Sequence, residues 1–280
     1  MPHPRPLRGL AIALYVLLGV HAALSVFDGI WLLERAFQWD DIARDRTPGG
    51  DPHNTGEAVT LLWRLSAIPY LALIVVFLIW FHHARANIDT YPDRRTRTLS
   101  PGWSIGGWFC PVVNLWFPML ITRDIWRASD PHPPHPEAST RGGLPLVWAW
   151  WATFVSVVPL YAYVRYVRPD GEPDISSDTF DPIAHAEASR TADIALACGY
   201  LILTISAGLL VAVIARITGF QTEREHRMAA TQFRPPHYAP TPPTLRHPTA
   251  EAIAPARLPD APQPPPRPQH PPTPQTTPPS

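Results

Sequence analysis

The sequence predicts an all-α integral membrane bundle. It has four transmembrane helices, one broken re-entrant or interfacial helical segment, and a disordered Pro-rich C-terminal tail. Three observations predict this. Residues 9–33, 61–81, 145–164 and 192–215 form apolar stretches, each long enough for a bilayer crossing of about 20 residues. Charged residues make up 16% of the chain, against roughly 25% in a soluble domain. Of the 37 prolines, 18 fall in residues 231–280, so a greasy body is joined to a polar tail.

The first stretch begins after Arg5 and Arg8 and contains Val20-His21-Ala22, loosely like a cleavage site. Its apolar run exceeds the 7–15 residues of a signal-peptide core, so it reads as an uncleaved signal-anchor. Trp63 and Trp80 bracket the second stretch as an aromatic belt would. Trp148, Trp150 and Trp151 crowd the start of the third, and Tyr161, Tyr163 and Tyr166 its end. Residues 72–81 show no polar face at helical spacing, unlike a water-soluble helix. The fourth stretch carries Gly208 and Ala212, and the first Gly19 and Ala23. Such small-residue pairs let another helix approach closely. The membrane domain is therefore residues 1–220, followed by a tail over 221–280.

Residues 103–122 have nearly the length of a span but hold Gly106, Gly107, Pro111, Asn114 and Pro118. Proline removes a backbone donor and breaks a helix. Such backbone is tolerated at membrane depth only where protein or a water-lined cavity surrounds it. The expectation is two short helical pieces bent near residues 111–115. Trp103, Trp108, Trp116 and Trp126 serve as interface anchors, and Asn87, Asn114 and Arg123 are candidates to line a cavity.

Little else points to chemistry. Lys+Arg and Asp+Glu are both 23, so no field recruits nucleic acid. All 23 basic residues are Arg, which reads as codon bias of a GC-rich genome. Cys110 and Cys198 lie in apolar segments and read as small buried hydrophobes. No phosphate loop, dinucleotide fingerprint, His-Glu-x-x-His or Gly-x-Ser-x-Gly occurs. A non-enzymatic protein without cofactor or metal is expected. The run from Asp130 through His132 and His135 to Glu137 has metal-ligand residue types, but its prolines make it an extended solvated loop. The tail, with Pro264-Pro-Pro-Arg-Pro268, has the composition of a flexible spacer and could offer a docking ligand to a cytoplasmic protein. Oligomerisation is open.

Ionisable groups inside a span are costly, so they are the candidate functional residues. His21, Ser25 and Asp28 stand at i, i+4 and i+7, on one helical face. Arg64 starts the second span. In a hairpin of spans one and two it lies at the depth of Asp28, so two expectations stand: an Asp28–Arg64 ion pair, or Arg64 snorkelling to the headgroups with Asp28 reaching interfacial water. A transport pathway through His21 is the alternative to a scaffold or interaction role.

Four pieces of the middle of the chain form a pattern: Trp80-Phe-His-His-Ala-Arg85-Ala-Asn87, Ser100-Pro101-Gly102-Trp103, Trp108-Phe-Cys-Pro111-Val-Val-Asn114-Leu-Trp116-Phe-Pro118, and Ile125-Trp126-Arg127-Ala-Ser129. Their order and spacing resemble a bacterial membrane family known as domain of unknown function 4328, common in actinobacteria. The resemblance extends to Phe220 and leaves out the tail. It implies a multi-pass membrane protein and no assigned activity.

Charge orients the chain, because cytoplasmic loops collect arginine. If residues 103–122 dip in without crossing, the side holding both termini carries 13 arginines and the other side 6. If they cross, the counts are 9 and 10 and the bias vanishes. Both termini are therefore expected in the cytoplasm of a cell-membrane protein.

Overall fold

The computed structural model describes residues 4–46, 51–52, 56–91, 99–131, 144–168 and 180–232. Among them the secondary structure is helical throughout: α1 (Arg8–Ala43), α2 (Glu57–Asn87), α3 (Trp103–Phe109), a 3₁₀ turn (Val113–Leu115), α4 (Phe117–Ser129), α5 (Leu144–Val167) and α6 (Pro182–Gln232). The Pro-rich tail and the loop with His132, His135 and Glu137 lie outside the described residues.

The four predicted spans fall inside α1, α2, α5 and α6, and each helix outruns its apolar stretch. The 36 residues of α1 make a rod of about 54 Å, and the 51 residues of α6 one of about 75 Å. Hydropathy marks only the lipid-facing part. Beyond it the turns carry charge pairs, such as Arg44–Asp40 at 3.1 Å and Arg190–Asp40 at 3.4 Å. Residues 221–232, grouped with the tail by sequence, belong to α6. No glycine or proline interrupts the helix there, and Gln221 is buried.

The exterior of the bundle is apolar. Only 22% of the apolar window in α1, α2 and α5, and 33% in α6, is buried. Ile12, Val16, Ile30, Leu65, Ile68 and Leu71 are each more than half exposed. A surface this continuous has no counterpart on a soluble monomer, and lipid is its natural solvent. The same reasoning corrects the expectation for Cys110 and Cys198, which are exposed, not buried. In a membrane protein an apolar environment includes the lipid face.

α1 and α6 pack antiparallel along most of their length. Gly29 lies against Tyr200, Trp39 against His185, and Arg35 against Asp193. α5 joins at Gly199, where an added Cβ would come within 3.0 Å of Leu160 Cδ2. These are the close approaches. Gly19 and Gly208, expected to make them, have nothing within 4 Å of where a Cβ would stand. They face outward, so their small size serves no contact within this chain.

The broken segment returns to the end it came from. Arg85 of α2 donates to the carbonyl of Leu99 at 2.9 Å, and His82 Nδ1 lies 3.1 Å from Ser104 Oγ. α3 then dips until Trp108 meets Phe77 edge-on at 5.3 Å, ten residues or about 15 Å along α2 from Asn87. The chain bends through residues 110–116 and runs back as α4. Ser129 and Asp130 finish beside Gln221 and Arg224 of α6. The bend lies where sequence puts it. Its loose carbonyl at Leu115 accepts from the Trp151 indole at 2.9 Å, as irregular backbone in a membrane requires. Pro118 does not break a helix as expected. It sits in the first turn of α4, where a missing N–H costs nothing. Gly107 permits the tight return, since a Cβ there would stand 3.3 Å from Phe117 Cβ.

Candidate functional site

Among the described residues, polar side chains inside the bundle gather in two clusters and one ion pair. The first is the α1 stripe. His21 lies against Tyr70 with ring centroids 5.9 Å apart. Ser25 is buried, and its Oγ has no hydrogen-bond partner among the described residues. Asp28 accepts a 2.9 Å hydrogen bond from the Trp63 indole. The expected Asp28–Arg64 pair does not form: Arg64 is exposed and makes no ion pair among the described residues. One residue along a helix is a turn of about 100°. With Trp63 facing α1, Arg64 points away.

The buried charge pair of the bundle lies elsewhere. Arg35 of α1 makes a two-pronged contact with Asp193 of α6, through Nε to Oδ2 at 2.6 Å and through Nη2 to Oδ1. Asp193 is fully buried, and Arg35 also covers the Trp31 ring at 4.6 Å. Arg35 falls just past the first apolar stretch, whereas Asp193 is the second residue of the fourth, an ionisable group inside a span that the sequence reading passes over.

The second cluster occupies the end where α1 begins and α6 exits. Asn87 is 1% exposed and uses its whole amide. Its Oδ1 accepts from the Arg5 backbone N–H at 2.7 Å. Its Nδ2 donates to the Arg5 carbonyl and to Gln221 Oε1, each at 2.9 Å. Gln221 Nε2 donates in turn to the Ala84 carbonyl at 3.1 Å and to Ser129 Oγ at 2.9 Å. Two carboxamides thus tie the N-terminal segment, α2, α4 and α6 to one point. Asn87 is buried and has no amide hydrogen left for a cavity with Asn114 and Arg123, which corrects that expectation.

The other motif residues support this point. Trp80 is buried and donates to Thr218 Oγ1 at 3.2 Å, so it is a core anchor and not the expected belt residue. Arg85, 3% exposed, bridges Asp89 at 2.9 Å and the Leu99 carbonyl. Pro101 and Gly102 form the turn into α3, the Pro101 carbonyl accepting from Ser104 Oγ at 2.7 Å. Trp103 meets Phe117 edge-on at 4.9 Å. Trp126 packs inside on Phe220 at 5.6 Å, and Trp108 stands among Phe77, Phe81 and Trp151. Neither is an interface anchor; Trp103 and Trp116 do remain exposed. Pro111 ends α3, and Asn114 in the following turn keeps a buried Oδ1 without a hydrogen bond among the described residues. Arg127 is exposed in the last turn of α4, where a cation suits the helix dipole.

Just outside α2, Tyr91 is buried beneath Arg224, whose guanidinium is 5.0 Å from the ring. The phenol hydroxyl has no partner among the described residues, and burial pushes its pKa well up. Arg224 also donates to the Asp130 carbonyl at 2.8 Å. Among the described residues no group of three His, Cys, Asp or Glu side chains could hold a metal.

The family model of a domain of unknown function, DUF4328, matches residues 53–219, well over half of the chain. The chain belongs to the DUF4328 family. No curated protein and no solved structure matches it. The DUF4328 match begins just before α2 and ends inside α6. It includes Asn87, Ser129 and Thr218, while Arg5 and Gln221 lie outside it. In this DUF4328 protein the motif therefore closes on residues beyond the matched stretch. Gln221 was legible only as one polar position on the buried stripe of Ile214, Ile217 and Thr218.

Proposed function

We propose that this protein is a non-enzymatic membrane scaffold or interaction protein of the cell membrane, with both termini in the cytoplasm. One observation carries the reading. Asn87 of the motif and Gln221 of α6, the two buried carboxamides, spend every amide hydrogen on each other and on neighbouring groups inside the bundle. Such a network holds helices in register and leaves no donor for a substrate. The partner-binding part is then the Pro-rich segment, offering an extended ligand to a cytoplasmic protein.

A second reading, a small transporter or channel component, rests on Ser25. Its buried hydroxyl lacks a partner among the described residues and shares a helical face with His21 and Asp28. Proteoliposomes separate the two. The scaffold reading expects no proton, sodium or potassium flux above protein-free vesicles under an imposed gradient. A flux abolished by Asp28→Asn would overturn it in favour of transport. Photo-crosslinkers placed along 233–280 in cells test the interaction role directly, which expects adducts at discrete tail positions and none in a tail of scrambled order.

A further inference from the structure

A groove of 840 Å³ runs along the seam between the first two turns of α1 and residues 215–230 of α6. Its lining changes character along its length. Ile12, Tyr15, Ala215 and Gly219 line the part nearer the middle of the bundle, and Arg8, Thr222, His226 and Arg227 the part nearer the end. The apolar stretches begin at residue 9 and stop at residue 215, so the groove straddles the boundary between hydrocarbon and headgroups. Charge is unbalanced within it. Arg227 pairs with Glu223 at 2.5 Å, whereas Arg8 is exposed and has no carboxylate partner among the described residues.

We infer that this groove seats one anionic phospholipid, its phosphate between Arg8 and Arg227 and an acyl chain over Ile12, Tyr15 and Gly219. The headgroup gains charge-assisted hydrogen bonds to two arginines. The acyl chain covers apolar surface that an ion alone would leave bare. The space over Gly219 is open, since a Cβ there would meet nothing within 4 Å. The inference does not depend on which side of the membrane this end occupies.

The test uses the full chain in detergent micelles, titrated with phosphatidylglycerol or phosphatidylcholine, with bound lipid counted by native mass spectrometry. One phosphatidylglycerol per chain is expected, and no comparable retention of phosphatidylcholine. Arg8→Gln and Arg227→Gln should each weaken binding about fivefold, the effect of one basic residue near an anionic lipid. Arg216→Gln, on the same end but outside the groove lining, should not. Gly219→Leu should displace the lipid by filling the floor, with helix content and thermal stability unchanged. Glycerol phosphate, which has the charge but no acyl chain, should not compete. Equal retention of phosphatidylcholine, undiminished binding in the arginine variants, or binding of glycerol phosphate at equal strength would each overturn the inference. If Gly219→Leu misfolds, the arginine variants and the two lipids still decide.

Discussion

Replacing Gln221 by Leu keeps most of the side chain's bulk and deletes its hydrogen bonds. Three are lost: those with Asn87 Nδ2, the Ala84 carbonyl and Ser129 Oγ. In soluble proteins each is worth about 1 kcal/mol net. Interhelical bonds in membrane proteins average about 0.6 kcal/mol. The expected destabilisation is therefore about 2–3 kcal/mol. Asn87→Leu also removes three bonds, two to the Arg5 backbone and one to Gln221, and should cost a similar amount. The two variants share one bond, so the double variant should cost less than the sum by about 0.6–1 kcal/mol. Orphaned amide hydrogens in either single variant would enlarge that coupling. The assay is reversible unfolding of the detergent-solubilised chain by sodium dodecyl sulfate, followed by helical circular dichroism. Additivity, or costs near those of exposed substitutions, would show that the two carboxamides do not hold these helices together.

Arg64→Gln should change stability by less than about 0.5 kcal/mol and show no coupling to Asp28→Ala in the same unfolding assay. Asp28→Ala alone should cost about 1 kcal/mol for the lost Trp63 bond. Asp193→Asn should destabilise by about 3 kcal/mol, since it leaves Arg35 inside the bundle without its counter-charge. A cost below about 1 kcal/mol would mean that water already solvates the pair. Tyr91 sets an alkaline limit: its phenol pKa is raised on folding, so the unfolded chain releases that proton first, and stability falls as pH rises past the ordinary tyrosine value of about 10. Tyr91→Phe should remove that part of the loss and be neutral or stabilising at pH 7, because it deletes a buried hydroxyl with no partner among the described residues. Single cysteines at positions 139 and 177, both outside the described residues, report threading in a background lacking Cys110 and Cys198. An impermeant thiol reagent on intact cells should label 177 and spare 139.

The crossing helices were legible because 20 apolar residues have few other uses. The return of the broken segment was legible for a similar reason, since Pro111 with the glycines at 106 and 107 cannot sit in an unbroken span. What stayed hidden were choices of face. Depth along the chain brought residue 64 beside residue 28, but rotation about α2 chose Trp63 as the partner. Trp80, Trp126 and Trp150 have the composition of belt residues, yet all three are packed inside. An aromatic at a span end satisfies both roles, and only the neighbouring helices decide between them. The Asn87–Gln221 contact joins residues 134 apart, and no local pattern reports a pairing of that separation.

The same-end return of α3 and α4 also sets the parity of the chain. Leu99 is held to Arg85, and Asp130 to Arg224, both at the end where Arg5 meets Asn87. With each of the four long apolar helices crossing once, the start of α1 and the end of α6 fall on one side. Under that threading 13 arginines lie on the side of the termini and 6 opposite. A fifth crossing would have abolished the difference. Geometry and composition bear on separate questions here. The contacts decide which segments share a side, without reference to charge. The arginine excess then favours the cytoplasm for that side, without reference to packing. The excess is informative only because the hydrogen bonds of Arg85, Ser129 and Arg224 hold both flanks of residues 103–122 at one end of the bundle.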